Sequence, residues 1–175
     1  MLRIIRFGFL SLLGLAGTAT AGNILNEQMS EVAAFYAGRI KGDHDVLLVK
    51  QLDRTKLDLT VGSLHAVDSW LGQLRDAGVR ADNELAGESV IWAGAYVGEV
   101  LRRCAKRDYA WMHYDEYMAG QQDSLRTVFP MTFSTQFLLV SGKGFTLPIN
   151  KVVRYLEEGP ENSVHFYVAA ECGDG

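Results

Sequence analysis

The stretch from Ile91 to Arg103, IWAGAYVGEVLRR, restricts this chain more than any other. At helical spacing it has three faces. Ile91, Gly94, Gly98 and Leu101 make the first, Ala93, Val97, Val100 and Cys104 the second, and Trp92, Tyr96, Glu99 and Arg103 the third. A helix that is apolar on most sides is a buried one. Its two glycines, four apart, each lower helix propensity by roughly 1 kcal/mol, so close approach of another backbone or ring has to offset the cost. The pattern therefore predicts a central core helix, from about Asp82 to Lys106, with the rest of the fold wrapped round it.

The flanking segments supply the wrapping. Asn26 to Ile40 has Met29, Val32, Ala33, Tyr36 and Ile40 on one helical face, with Gly42-Asp43 as the stop. Val46–Val49 reads as a short strand. A second helix begins after Ser63 as N-cap, carries Leu64, Val67, Trp70, Leu71 and Leu74, and ends at Gly78. Beyond the core helix the period changes. Tyr109–Met118 is aromatic and strand-like, and Gly120–Ser124 is a polar loop. Thr132–Val140 alternates, Ser141–Gly144 (SGKG) turns a hairpin, and Phe145 and Leu147 lie on the return strand. Pro148 opens a helix with Ile149, Val152, Val153 and Leu156 inside and Gly159-Pro160 as its stop. Val164–Ala170 reads as a final strand with Val164, Phe166 and Val168 on one side. The order predicts an α+β fold, with N-terminal helices packed on one face of an antiparallel sheet formed mainly by the C-terminal half.

The first residues address the chain. Arg3 and Arg6 precede the apolar run Phe7–Gly17, and Ala19 and Ala21 have the small-x-small spacing of a signal-peptidase site. The run is too short to span a bilayer, which takes about 20 apolar residues. Residues 1–21 are expected to be a signal peptide cleaved after Ala21. This leaves a single periplasmic α+β domain, 22–175, with no membrane attachment. Without Arg3 and Arg6 the chain has 15 of its 17 Lys and Arg against 21 Asp and Glu, a net charge of −6. That balance argues against nucleic acid as a partner, since phosphate binding needs a basic patch. Cys104 and Cys172 can pair after export; free thiols are the alternative.

Four groups of residues invite a chemical reading. His113, Asp115 and Glu116 lie close together, but neighbours on a strand face opposite ways, so only His113 and Asp115 share a side. Ser63, His65 and Asp68 are triad types crowded into one helical turn, where a working triad cannot form. The spacing of the two cysteines is not a metal signature, and nothing in the sequence calls for a cofactor. Glu99 stands out as a carboxylate on a mostly apolar helix, and a buried carboxylate needs partners. Arg103, four residues on, is the expected local one.

The Gly98-Glu99 pair, the Trp111 that opens a strand, and Phe129-Pro130 before the next strand resemble a set of uncharacterised bacterial domains with a Gly-Glu helix followed by a Trp-led strand. The resemblance runs from the middle third of the chain to its end. It implies an α+β fold without an assigned catalytic residue, and some members are discussed as immunity or interaction proteins. The expected function is that of an exported, non-enzymatic binding module with a protein partner, one form being a toxin-neutralising immunity protein. The competing expectation is a small periplasmic enzyme using Glu99 with His113 or Asp115.

Overall fold

The computed structural model describes residues 21–82, 84–142 and 144–173. The expected signal peptide lies outside them except for Ala21, as does Lys143 of the hairpin turn. Seven α-helices and three strands are described: α1 (Ala21–Tyr36), α2 (Leu64–Asp76), α3 (Glu84–Cys104), β1 (Ala110–His113), α4 (Tyr114–Ala119), α5 (Asp123–Val128), β2 (Phe137–Ser141), β3 (Gly144–Thr146), α6 (Pro148–Glu158) and α7 (Val164–Cys172). The strands form one antiparallel sheet in the order β1-β2-β3. The fold is α+β, with the first three helices N-terminal to the sheet.

The glycine-bearing helix is the centre of the molecule. α3 packs against α1 and α6, and Val90, Ala93, Ala95, Tyr96, Val97, Val100 and Leu101 along it are all fully enclosed. Its glycines explain how neighbours come so near. A Cβ at Gly94 would lie 2.6 Å from Cα of Ile149 on α6, and one at Gly98 would overlap the six-membered ring of Trp111 on β1. The lost helix propensity is thus offset by packing on two sides.

Register splits the sheet between two clusters. Trp111 pairs with Leu139 and Met112 with Leu138. Trp111 and Leu139 face the main core with α1, α3 and α6. Leu138, Met112 and Val140 face the other way, onto Tyr114, Tyr117, Met118, Phe129 and Phe145. The short helices α4 and α5, in the β1–β2 connection, cover that second face.

Several boundaries differ from the sequence reading. α1 stops at Tyr36, not near Gly42, because Gly38 (φ 74°) adopts the left-handed conformation. Arg39 N–H then donates to Ala34 O and Gly38 N–H to Phe35 O, the two bonds of a Schellman closure. Arg54 adds a donor to Tyr36 O at 2.9 Å. Val46–Val49 is not a strand; Leu48 sits at φ 51° and a 3-10 turn starts at Val49. Ser63 closes a 3-10 turn and makes no cap bond to α2, because its hydroxyl donates to Thr60 O. The aromatic stretch from Tyr109 leaves the sheet after His113, where Asp115 and Glu116 suit the first turn of α4. β2 starts only at Phe137, five residues after Thr132.

The largest correction concerns the C-terminal segment, which is helix α7 and not a strand. Ser163 caps it, accepting from Phe166 N–H at 3.0 Å. Asp68 of α2 accepts from Val164 N–H at 2.8 Å and from the Ser163 hydroxyl at 2.6 Å. Val164, Val168 and Cys172, four apart, are buried, while Phe166 is 70% exposed. The alternation of Val164, Phe166 and Val168 imitated a strand, but burial follows the helical period.

Cys104 and Cys172 form a disulfide with Cα atoms 5.5 Å apart, joining the C-terminal ends of α3 and α7. Among the described residues no helix is long and apolar enough to cross a membrane.

Candidate functional site

Glu99 is the only charged side chain that is buried among the described residues, at 6% exposure. It rises from α3 one residue after the glycine that receives Trp111. That position brings its carboxylate beneath the indole edge. Trp111 Nε1 donates to Oε1 at 2.9 Å, Arg102 Nη1 donates to the same oxygen at 2.8 Å, and the Ser30 hydroxyl donates to Oε2 at 2.9 Å. The carboxylate therefore has three donors from three elements, one of them cationic. This offsets the cost of burying a charge.

The arginine is Arg102, not the expected Arg103, which is exposed. Position 102 is on the side of α3 that faces β1. Arg102 Nε also donates to Tyr109 O at 3.1 Å, so one guanidinium ties the carboxylate to the lead-in of the strand. Asn26 of α1 completes the arrangement: its Oδ1 accepts the Trp111 backbone N–H at 2.9 Å, which occupies the outer edge of β1. The Tyr109 hydroxyl donates to Glu171 of α7 at 3.2 Å. Burial first, and then the Glu171 carboxylate, raise the Tyr109 phenol above its ordinary value. A shallow, open depression lined by Asn26, Glu27, Ser30, Glu31 and Arg102 lies over this network.

The other candidates are dispersed. His113 is exposed with its ring 5.2 Å from Phe137. Asp115 is exposed on α4, 3.6 Å from Arg126. The turn into α4 breaks the strand geometry that would have aligned His113 with Asp115. Neither makes a hydrogen bond to Glu99, whose donors are Ser30, Arg102 and Trp111. Ser63 bonds the Tyr96 hydroxyl at 2.7 Å, Asp68 caps α7, and His65 stacks on His165 with ring centroids 3.7 Å apart. The three triad residue types thus serve three separate contacts. Among the described residues no group of three or more His, Cys, Asp or Glu is placed to hold a metal ion.

Sequence reasoning singled out Glu99 but not Ser30, Asn26, Arg102 or Tyr109. A polar pair four apart on an amphipathic helix, such as Asn26 and Ser30, has no signature that separates it from a solvated face. Comparison with protein-family models, with curated proteins and with solved structures finds no match.

Proposed function

We propose that this chain is an exported, non-enzymatic binding module of the bacterial periplasm that acts through a protein partner. The observation that carries the reading is the state of Glu99. The one buried carboxylate of the described core spends both oxygens on Ser30, Arg102 and Trp111, all of them scaffold groups. A general acid or base must reach a substrate proton within hydrogen-bond distance, and these oxygens are already engaged. The Cys104–Cys172 disulfide is the kind of cross-link that persists in oxidising compartments and agrees with export. A specific form of the role, to which the Gly98, Glu99 and Trp111 resemblance points, is neutralisation of a toxin acting in the same compartment.

The test is retention of a partner by the tagged, processed chain in its own envelope extract, with N-terminal sequencing of the bait. The expected result is a chain starting at Gly22 and a protein retained in fixed stoichiometry, lost when the bait is heat-unfolded. A partner that arrests growth when exported alone, and not when this chain accompanies it, fits the toxin-neutralising form. An intact Met1 on the bait overturns the export argument. Turnover of a small substrate, abolished in Glu99→Gln at unchanged melting temperature, replaces the binding reading with the enzymatic one.

A further inference from the structure

The β1–β2 connection combines two properties that ordinarily exclude each other. Val128, Met131 and Phe133 are 77%, 57% and 40% exposed, three of the six large apolar side chains this far into solvent among the described residues, all within six positions. The segment that holds them out is not loose. The Tyr114 hydroxyl donates to Phe129 O at 2.6 Å, the Thr135 hydroxyl to Pro130 O at 3.0 Å, and Gln136 Nε2 to Phe133 O at 3.0 Å. Thr132 N–H in turn donates to Thr135 Oγ1 at 2.8 Å. Ser134 and Thr135 are buried, and Ser134 reaches Asn150 of α6 at 3.2 Å. The Phe129 ring turns inward, onto Tyr114 and Phe145 at 5.5 and 4.9 Å. A chain free to fold its apolar side chains back would do so. Here backbone carbonyls are pinned from below while the apolar groups stay out.

Clustered exposed apolar side chains mark interaction sites, and pre-ordering them lowers the entropy cost of association. Resting on the binding reading above, we propose that Val128–Phe133 is the partner-binding surface of this protein and that it takes a protein partner presenting an apolar pocket with a basic rim.

The charges beside the segment select that occupant. Asp115 and Glu116 of α4 are exposed there, and Arg126, the cation beside them, already lies 3.6 Å from Asp115. An anionic bilayer attracts basic borders, not acidic ones. A second copy docked about a two-fold axis would set the two acidic borders against each other. With Asp115 already beside Arg126, the favourable contact of a basic rim is chiefly with Glu116. A shallow depression beside Val128, floored by Leu125 and edged by Gln121 and Gln122, extends the surface with amides able to bond a partner's backbone.

The test uses the full chain with a photo-crosslinking amino acid placed in turn at Met131, Ile40 and Phe166, the last two being exposed apolar positions elsewhere. Irradiation is carried out in the chain's own envelope fraction. The expected result is a single heterologous adduct from Met131 alone. The adduct protein, once purified, should bind Met131→Asp at least roughly tenfold more weakly than the unaltered chain, at equal melting temperature. Thr135→Val, which unpins Pro130 O without touching an exposed side chain, should weaken binding as well. Adducts from Ile40 or Phe166 but not Met131 overturn the site while leaving the binding reading intact. No adduct at any of the three positions overturns the site, and the binding reading falls with it if the tagged chain also retains no partner from the same fraction. An adduct of the chain with itself, or sedimentation of the unaltered chain with phosphatidylglycerol vesicles that Met131→Asp loses, overturns the choice of partner.

Discussion

Trp111 rests its six-membered ring on Gly98 and points its indole N–H at the carboxylate of the next residue, Glu99, 2.9 Å away. The two contacts depend on each other. Without a glycine the ring cannot approach, and without the carboxylate the buried indole donor has no acceptor there. Arg102, Ser30 and Asn26 then fasten α3, α1 and β1 around this pair.

Glu99→Gln should lower stability by about 1.5–3 kcal/mol, the worth of a hydrogen bond to a charged group. The amide keeps one acceptor but turns two donors toward a site already filled with donors. Thermal unfolding followed by circular dichroism measures it. A melting temperature equal to that of the unaltered chain contradicts the structural role.

The same substitution on one helix should act in opposite directions at two glycines. Gly98→Ala places a methyl in the Trp111 ring and should cost about 1–3 kcal/mol through overpacking. Gly87→Ala meets nothing within 4 Å and should add roughly 0.4–1 kcal/mol. Urea denaturation of the two variants decides it; equal effects would remove the close-approach account of the central helix.

Reduction of Cys104–Cys172 releases a loop closed across a sequence separation of 68. On the chain-entropy model this costs roughly 4 kcal/mol. Denatured, unreduced protein should show no free thiol, and Cys104→Ala with Cys172→Ala should melt well below the unaltered chain. Two free thiols in the unreduced protein exclude the bond.

Raising the pH should unfold the protein together with ionisation of its buried phenols. Burial raises Tyr36 well above its ordinary value, and Tyr96 and Tyr109 are raised as well, with burial the first cause in each. A raised phenol favours the protonated native form, so this contribution is complete below the ordinary tyrosine range, about pH 10. Above that it falls, because the unfolded chain loses protons first. Phenolate absorbance should therefore rise cooperatively with loss of secondary structure; gradual ionisation without unfolding contradicts it. Tyr36 supplies a control at neutral pH, since its buried hydroxyl has no hydrogen-bond partner among the described residues. Tyr36→Phe should leave the melting temperature unchanged or raise it, because the orphaned group costs about 1–3 kcal/mol.

The sequence by itself determined what repeats with a period or rests on a local stop. The apolar faces of α1, α2 and α6, the central place of α3, the Gly78 and Gly159 stops and the α+β order follow from side-chain spacing that needs no distant contact. It also placed Cys104 on an apolar helix, facing a partner that lay 68 residues away. The tertiary structure decided the rest. Val164, Phe166 and Val168 suit strand and helix alike, and Asp68, arriving from α2, adds to the Ser163 cap by accepting the N–H of Val164. Ser163 and Gly173 cap the helix at its two ends, and burial at every fourth residue separates its period from the alternation of a strand. Glu99 was legible as a buried carboxylate, but its partners were not. Ser30, Arg102 and Trp111 meet only because the Gly98 notch admits an indole from another element, and such a notch has no period in the sequence.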